Sequence, residues 1–277
     1  MTKRTKTNED ITRVEATSAA LGAFVEDDAS QSAMTGYTVL PRMKLIQAMS
    51  DEKLKEVFGE GAVVVRPGDA LIAEKESPFE FVPLAFYAEF GKWSDRRDKD
   101  SKMIVERSYD PLSEVAQKSM DADRRIEVYA GHEGKTERDQ WKYRYVHSLN
   151  FPGFIYGDHP LSGTQVTLTF SKGEFVTGQR LINAIQLRRM PVEGVSKKVP
   201  LWAQVWEFTS TLRQKEDRKW YGLDFQAGEN PMILVDQIEQ FRDNHLTLME
   251  LIKAKSLTTD QSEDDEGSSA ATDPNAK

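Results

Sequence analysis

The stretch from Val166 to Pro191, VTLTFSKGEFVTGQRLINAIQLRRMP, decides the fold class. Val166, Leu168 and Phe170 alternate with Thr167 and Thr169, the two-residue period of a strand with one buried face. The period then changes. Phe175, Gly178, Leu181, Ile182 and Ile185 fall at helical spacing, and Pro191 closes the run. Between the two stands Ser171-Lys172-Gly173-Glu174, in the form of a capping box whose hydroxyl and carboxylate satisfy each other's backbone donors. The expectation is a strand followed by an amphipathic helix packed on a sheet.

Outward from this stretch the signals are mostly those of strands. Ala62-Val63-Val64-Val65 is β-branched and stops at the turn Pro67-Gly68-Asp69. Phe79 to Phe90 is apolar and aromatic. Met103-Ile104-Val105 and Ile126 to Tyr129 are short candidates, and Trp141 to Leu149 alternates. Leu201 to Ser210 and Lys219 to Gln226 read as two arms of a hairpin joined by Gln214 to Arg218. Near the start, Ser50 is the expected cap of a short helix carrying Leu54, Val57 and Phe58 and ending at Gly59. Near the end, Asn230 and Pro231 stand where a cap and a first-turn proline would precede a helix to Lys253, with Asn244 as a candidate break. The fold class expected is α+β, mainly β: an OB-like barrel or a twisted antiparallel sheet with an inserted amphipathic helix and a C-terminal helix. Residues 37–256 form the expected single body. Residues 1–36 read as a disordered N-terminal segment with a short helix near Ala16 to Val25, and residues 257–277 as a disordered acidic tail.

Charge is placed unevenly along the 277 residues. Residues 257–277 carry six acids against Lys277, a net −5 of the formal −8, and residues 1–36 carry a net −2, so the body is near neutral at −1. There is no cysteine, which removes disulfides, thiolate zinc sites and a cysteine nucleophile and fits a reducing compartment. The basic start Lys3-Arg4-Thr5-Lys6 is followed by Asn8, Glu9 and Asp10 rather than an apolar run, so no signal peptide is expected. No stretch approaches the ~18 apolar residues of a membrane span. The expected location is the cytoplasm.

Catalysis has little support. His132, His147, His159 and His245 stand in no zinc-protease or facial-triad spacing. Phosphate-cradling glycine loops and nucleophile elbows are absent from the sequence. Asp121 and Asp123 read as a solvated loop. No cofactor or metal is expected.

Aromatic and basic residues interleave more tellingly. In Trp141-Lys142-Tyr143-Arg144-Tyr145 the rings share one face of a strand and the cations the other. Single-stranded nucleic acid uses both: rings on which bases stack, each worth roughly 1–3 kcal/mol, and cations that follow the phosphates. The competing expectation is that the rings are core and the cations face solvent. Trp202, Gln204, Trp206, Phe208 and Ser210 offer a second aromatic face, with Trp220 on the facing arm as a candidate cross-strand partner of Trp206. Arg188 and Arg189 end the inserted helix, Lys197 and Lys198 lie in the loop before Leu201, and Arg96, Arg97, Lys99 and Lys102 follow Trp93.

Taken together, Leu40-Pro41-Arg42-Met43-Lys44-Leu45, Leu168-Thr169-Phe170-Ser171-Lys172 with the helix behind, Pro200 to Ser210 with Trp220-Tyr221, and the acidic tail resemble phage-type single-stranded-DNA-binding proteins of the OB fold. The resemblance is architectural and spans most of the body. It implies a non-enzymatic protector of exposed strands in replication or recombination in a bacterial host cytoplasm, with single-stranded DNA as partner and replication or recombination proteins as candidates at the tail. The tail departs from the bacterial pattern: Asp273-Pro274-Asn275-Ala276-Lys277 has no aromatic tip, which favours Asp264, Asp265 and Glu266 as electrostatic competitors for a basic groove over a docking peg. The alternative from another class is a protein-interaction or virion-associated module whose aromatics are core. A metal-dependent nuclease would need clustered acids that the sequence does not place.

Overall fold

A computed structural model describes residues 39–94, 104–133, 140–192, 194–216 and 218–259. The expected N-terminal segment, its short helix, the basic cluster Arg96 to Lys102 and nearly all of the acidic tail lie outside the described residues. The described body reaches Thr259. Leu257 is buried, and β15 (Thr258–Thr259) pairs in parallel with β1 (Val39–Leu40).

The spine is β9 (Trp141–Tyr156), 16 residues long. Half of its positions are aromatic or β-branched, which suits a pleated surface packed on both sides. One edge takes β8 (Ile126–Val128) and then β10 (Gln165–Ser171). The other takes β6 (Tyr87–Ser94) and then β5 (Pro78–Pro83). Alternation predicts a strand only to Leu149, and the observed strand runs on through Asn150, Pro152 and Gly153. The fold uses each of them. Pro152 falls where β9 passes from β6 to β5, so its missing N–H is not needed there, and its carbonyl accepts the N–H groups of Leu84 (2.8 Å) and Ala85 (3.3 Å). At Gly153 a Cβ would overlap the Val82 carbonyl and the Phe81 ring.

From β9 the sheet extends both ways. On one side lie β5, β13 (Gln204–Lys215) and β14 (Arg218–Met232); on the other lie β10, β2 (Arg42–Leu45), β3 (Val63–Arg66) and β4 (Ala70–Ala73). β7 (Ile104–Ser108) borders β6. Every pairing in this sheet is antiparallel except β10 with β2. Of the two expected forms, the open one is found, as a mixed sheet that is not closed into a barrel.

It nevertheless curls, and side chains close the seam. The Gln47 amide pairs with the Tyr221 backbone on the outer edge of β14, donating at 2.7 Å and accepting at 2.9 Å. The Glu174 carboxylate accepts the Leu223 N–H two residues along, at 3.1 Å. These bonds satisfy backbone groups that an edge strand leaves bare. Glu174 is therefore not part of a capping box. Ser171 makes no side-chain cap, and α3 (Phe175–Leu187) follows a short 3-10 turn, Lys172–Glu174. α1 (Glu52–Phe58) is capped by Asp51, one residue after the expected Ser50.

The two faces of β9 carry different helices. Leu149, Phe151 and Ile155 join Phe81, Phe170, Phe208 and Trp206 in one core, covered by Leu181 and Ile185 of α3. Phe154 faces the other way, into a core with Phe241 and Leu248 of α4 (Ile238–Lys253); the Phe154 and Phe241 rings meet edge-on at 5.2 Å. α4 is unbroken at Asn244, whose amide donates to the Gln240 carbonyl four residues back. Asn230 and Pro231 belong to β14, and a 3-10 turn (Val235–Gln237) leads into the helix.

Substituting Gly153→Ala is expected to destabilise the body by about 1–3 kcal/mol, the range for overpacking a filled site. Urea unfolding measured against Gly173→Ala, where a Cβ meets nothing within 4 Å, checks this.

Candidate nucleic-acid interface

The first half of β9 carries the predicted rings. α2 (Glu114–Met120), capped by the Ser113 hydroxyl on the Ala116 N–H, lays Val115 and Ala116 against Phe90 and Tyr145. Tyr145 is thereby only 3% exposed. Its hydroxyl donates to Glu127 at 2.9 Å and accepts from Lys118 at 3.3 Å, and burial pushes its pKa up. It is a core residue, as the competing expectation had it.

Trp141 and Tyr143 remain half-buried. Lys92 places its ammonium 4.0 Å from the Tyr143 ring centroid, and Lys142 lies at 5.3 Å. The Arg144 guanidinium lies 4.9 Å from the Trp141 centroid. Cations and rings were expected on opposite faces of the strand; instead the long basic side chains reach round to the rings, within cation–π range. Lys92 was not among the predicted residues. It faces Tyr145 across the β6–β9 pairing, and no local pattern announces that register.

The second predicted face is dismantled. Trp206 is 5% exposed, edge-on to Phe225 at 5.6 Å and covered by the Arg188 guanidinium at 5.0 Å. Burial pulls the Arg188 pKa down. Trp206 does not pair with Trp220. The arms are longer than expected and turn in two residues, so Trp206 faces Ala227 while Trp220 faces Arg213. Trp202 leaves the strand altogether. Leu201–Ala203 is a 3-10 turn, which sends Trp202 to the α4 core.

At the seam, Arg213 approaches Glu174 to 3.4 Å, passing where a Cβ on Gly222 would block it. Burial pushes the Glu174 pKa up, and Arg213 and the Leu223 N–H oppose that shift.

The basic residues around α3 form a structure of their own. Arg188 follows the helix. Arg189 begins β11 (Arg189–Val192), which pairs antiparallel with β12 (Val195–Lys198) as a separate two-stranded ribbon. Lys197 and Lys198 therefore lie on a strand rather than in a loop. The 13-residue α3 separates this ribbon from the rings, running from Phe175, whose ring is 4.4 Å from that of His147, to the Arg188–Trp206 contact. At 1.5 Å per residue that is about 20 Å. The predicted residues thus occupy two surfaces instead of one groove. Among the described residues no group of histidine or acidic side chains is arranged to hold a metal ion, and no helix is long and apolar enough to cross a membrane.

Fold and surface together define a mainly β protein built on one curled mixed sheet, with basic residues grouped at two separate places. The chain belongs to the family of Pam3 phage gp34-like proteins, whose model matches residues 14–257, and it is thereby of bacteriophage type. No curated protein and no solved structure matches the chain.

His147 supplies a pH test of this region. Its ring lies between those of Phe90 at 4.5 Å and Phe175 at 4.4 Å, tilted to both, and burial lowers its pKa. An unfolded histidine titrates near pH 6.5. The stability that neutral His147 contributes is therefore complete above about pH 6.5 and is lost as pH falls toward its lower folded value. The difference in unfolding free energy between the wild type and His147→Phe is expected to shift against the wild type below pH 6.5, by at most about 1.4 kcal/mol per pH unit. Denaturant curves from pH 8 to pH 5 measure it.

Proposed function

We propose that this protein binds single-stranded DNA without catalysis, protecting exposed strands in phage replication or recombination within the bacterial host cytoplasm. The observation that carries the proposal is the pair of half-exposed rings, Trp141 and Tyr143, each with a cation within 5 Å of its centroid. A base that stacks on such a ring releases the cation to the adjoining phosphate, and every base offers a π-face, so binding is tolerant of sequence. The near-neutral body is no obstacle, because the cations are grouped rather than spread.

A second proposal, a protein-interaction or virion-associated module, is favoured by one surface. Met232, Leu234, Val235 and Ile238, at the junction of β14 and α4, expose 37%, 59%, 84% and 39% of their area.

Titration with oligo-dT at two salt concentrations tests the first. Quenching of tryptophan fluorescence is expected, with log affinity falling by about 0.7 per phosphate neutralised for each unit of log salt. Trp141→Ala with Tyr143→Ala should weaken binding at least tenfold, since the stacking of two bases is removed at roughly 1–3 kcal/mol each. Absence of binding at low salt overturns the proposal in favour of the second.

For the tail as electrostatic competitor, the deletion begins at residue 260, which spares buried Leu257 and β15. Tighter oligo-dT binding by this truncation is expected, most clearly at low salt where screening is weakest. Unchanged affinity would exclude self-competition.

A further inference from the structure

The β11–β12 ribbon is unlike the rest of the molecule. It pairs with no strand of the large sheet, and all four residues of β12 are exposed, as are Arg189 and Pro191. The register sets Arg189 directly opposite Lys198, and Met190 opposite Lys197. Directly opposed like charges cost stability across an antiparallel pair. Among the described residues no carboxylate forms an ion pair with Arg188, Arg189, Lys197 or Lys198.

The base of the ribbon is firmly built. Gln204 is fully buried, and its amide donates to the Ile185 carbonyl at the end of α3 (3.1 Å) and to the Val199 carbonyl just past β12 (2.9 Å). The Val199 N–H donates to the Arg188 carbonyl at 3.1 Å, and Arg188 is held on Trp206. One buried amide thus clamps both feet of an arm whose described cations form no ion pair.

We infer that this ribbon is an arm that contacts double-stranded nucleic acid, its cations taking phosphates along a groove. Three features select the duplex. A two-stranded ribbon fits the major groove, about 12 Å wide. Alternation puts Arg189 and Lys198 on one face and Lys197 on the other, so cations point to both walls. Neither β11 nor β12 contains an aromatic residue, so the ribbon itself lacks the stacking platform a single strand uses. The inference adds a second ligand form at a second surface and does not depend on the single-strand proposal. If both hold, a junction of duplex and single strand is the best substrate.

The experiment uses the full chain and three probes: oligo-dT, a short blunt duplex, and the same duplex with a dT overhang. Arg189→Gln, Lys197→Gln and Lys198→Gln combined should weaken duplex binding tenfold or more. The salt slope should become shallower by roughly 0.9 for each B-DNA phosphate that the variant no longer neutralises. Oligo-dT binding should stay within about threefold, because phosphate contacts act where they are made. The charge-conserving set Arg189→Lys, Lys197→Arg and Lys198→Arg should retain duplex binding, and circular dichroism confirms that each variant is folded. Wild-type protein that ignores the duplex at low salt overturns the inference, as does unchanged duplex affinity in the glutamine set. So does equal competition by poly-glutamate, which would mark a non-specific polyanion surface. None of these outcomes touches the single-strand proposal, which fails only if oligo-dT does not bind through Trp141 and Tyr143.

Discussion

The rest of the structure depends on the continuity of β9. A strand of 16 residues with partners on both edges is long enough to belong to two packing environments at once. Its first half lies between β8 and β6 under α2; its second half lies between β10 and β5, with α3 on one face and α4 on the other. That continuity runs through Asn150, Pro152 and Gly153. Each is a poor strand residue, and Pro152 and Gly153 are placed where the deficiency is harmless or useful. Pro152 lacks a donor at the handover between two neighbouring strands. Gly153 makes room for the Val82 carbonyl. Asn150, fully buried, accepts a hydrogen bond from Thr169 at 2.8 Å.

A sheet this wide must manage its ends. β14 is a long edge strand, and an unpaired edge invites other chains. Here the seam is closed by Gln47 and Glu174, with Arg213 passing over Gly222 to balance the Glu174 charge. The closure is made by side chains, without a ladder between the first and last strands. It also gives Glu174 a structural task that consumes it. The same holds for Trp206 and Tyr145, which are committed to packing. Side chains that look chemically able in a sequence are available for function only when the fold does not already use them.

The basic residues of the surface are divided between two places. Rings with cations over them stand at one end of β9, and a basic ribbon stands about a helix length away. A helix of 13 residues is too stiff to let these surfaces merge, so they meet different parts of a ligand or different ligands. Elsewhere the charge has the opposite sense. Glu80 faces Glu207 across β5 and β13, and burial together with Glu207 and Glu229 pushes its pKa up. The near-neutral total of the body thus conceals local excesses of both signs.

By itself, the sequence determined the mainly β class, the inserted helix, the existence of the long hairpin and the concentration of acidity at the ends. These are local properties: a period of two or 3.6, a turn residue, a count of charges. It did not determine that Asn150 to Gly153 continue a strand, that Glu174 faces β14 instead of capping its own helix, or that Arg189 faces Lys198. Nor did it determine which ring is exposed. Alternation separates Tyr143 and Tyr145 from Lys142 and Arg144, but α2, arriving from residues 114–120, covers Tyr145 and leaves Tyr143 half open. Only tertiary structure decides such matters, because burial and pairing are set by partners distant in the chain. A strand's own period defines its two faces and carries no information about what will cover them.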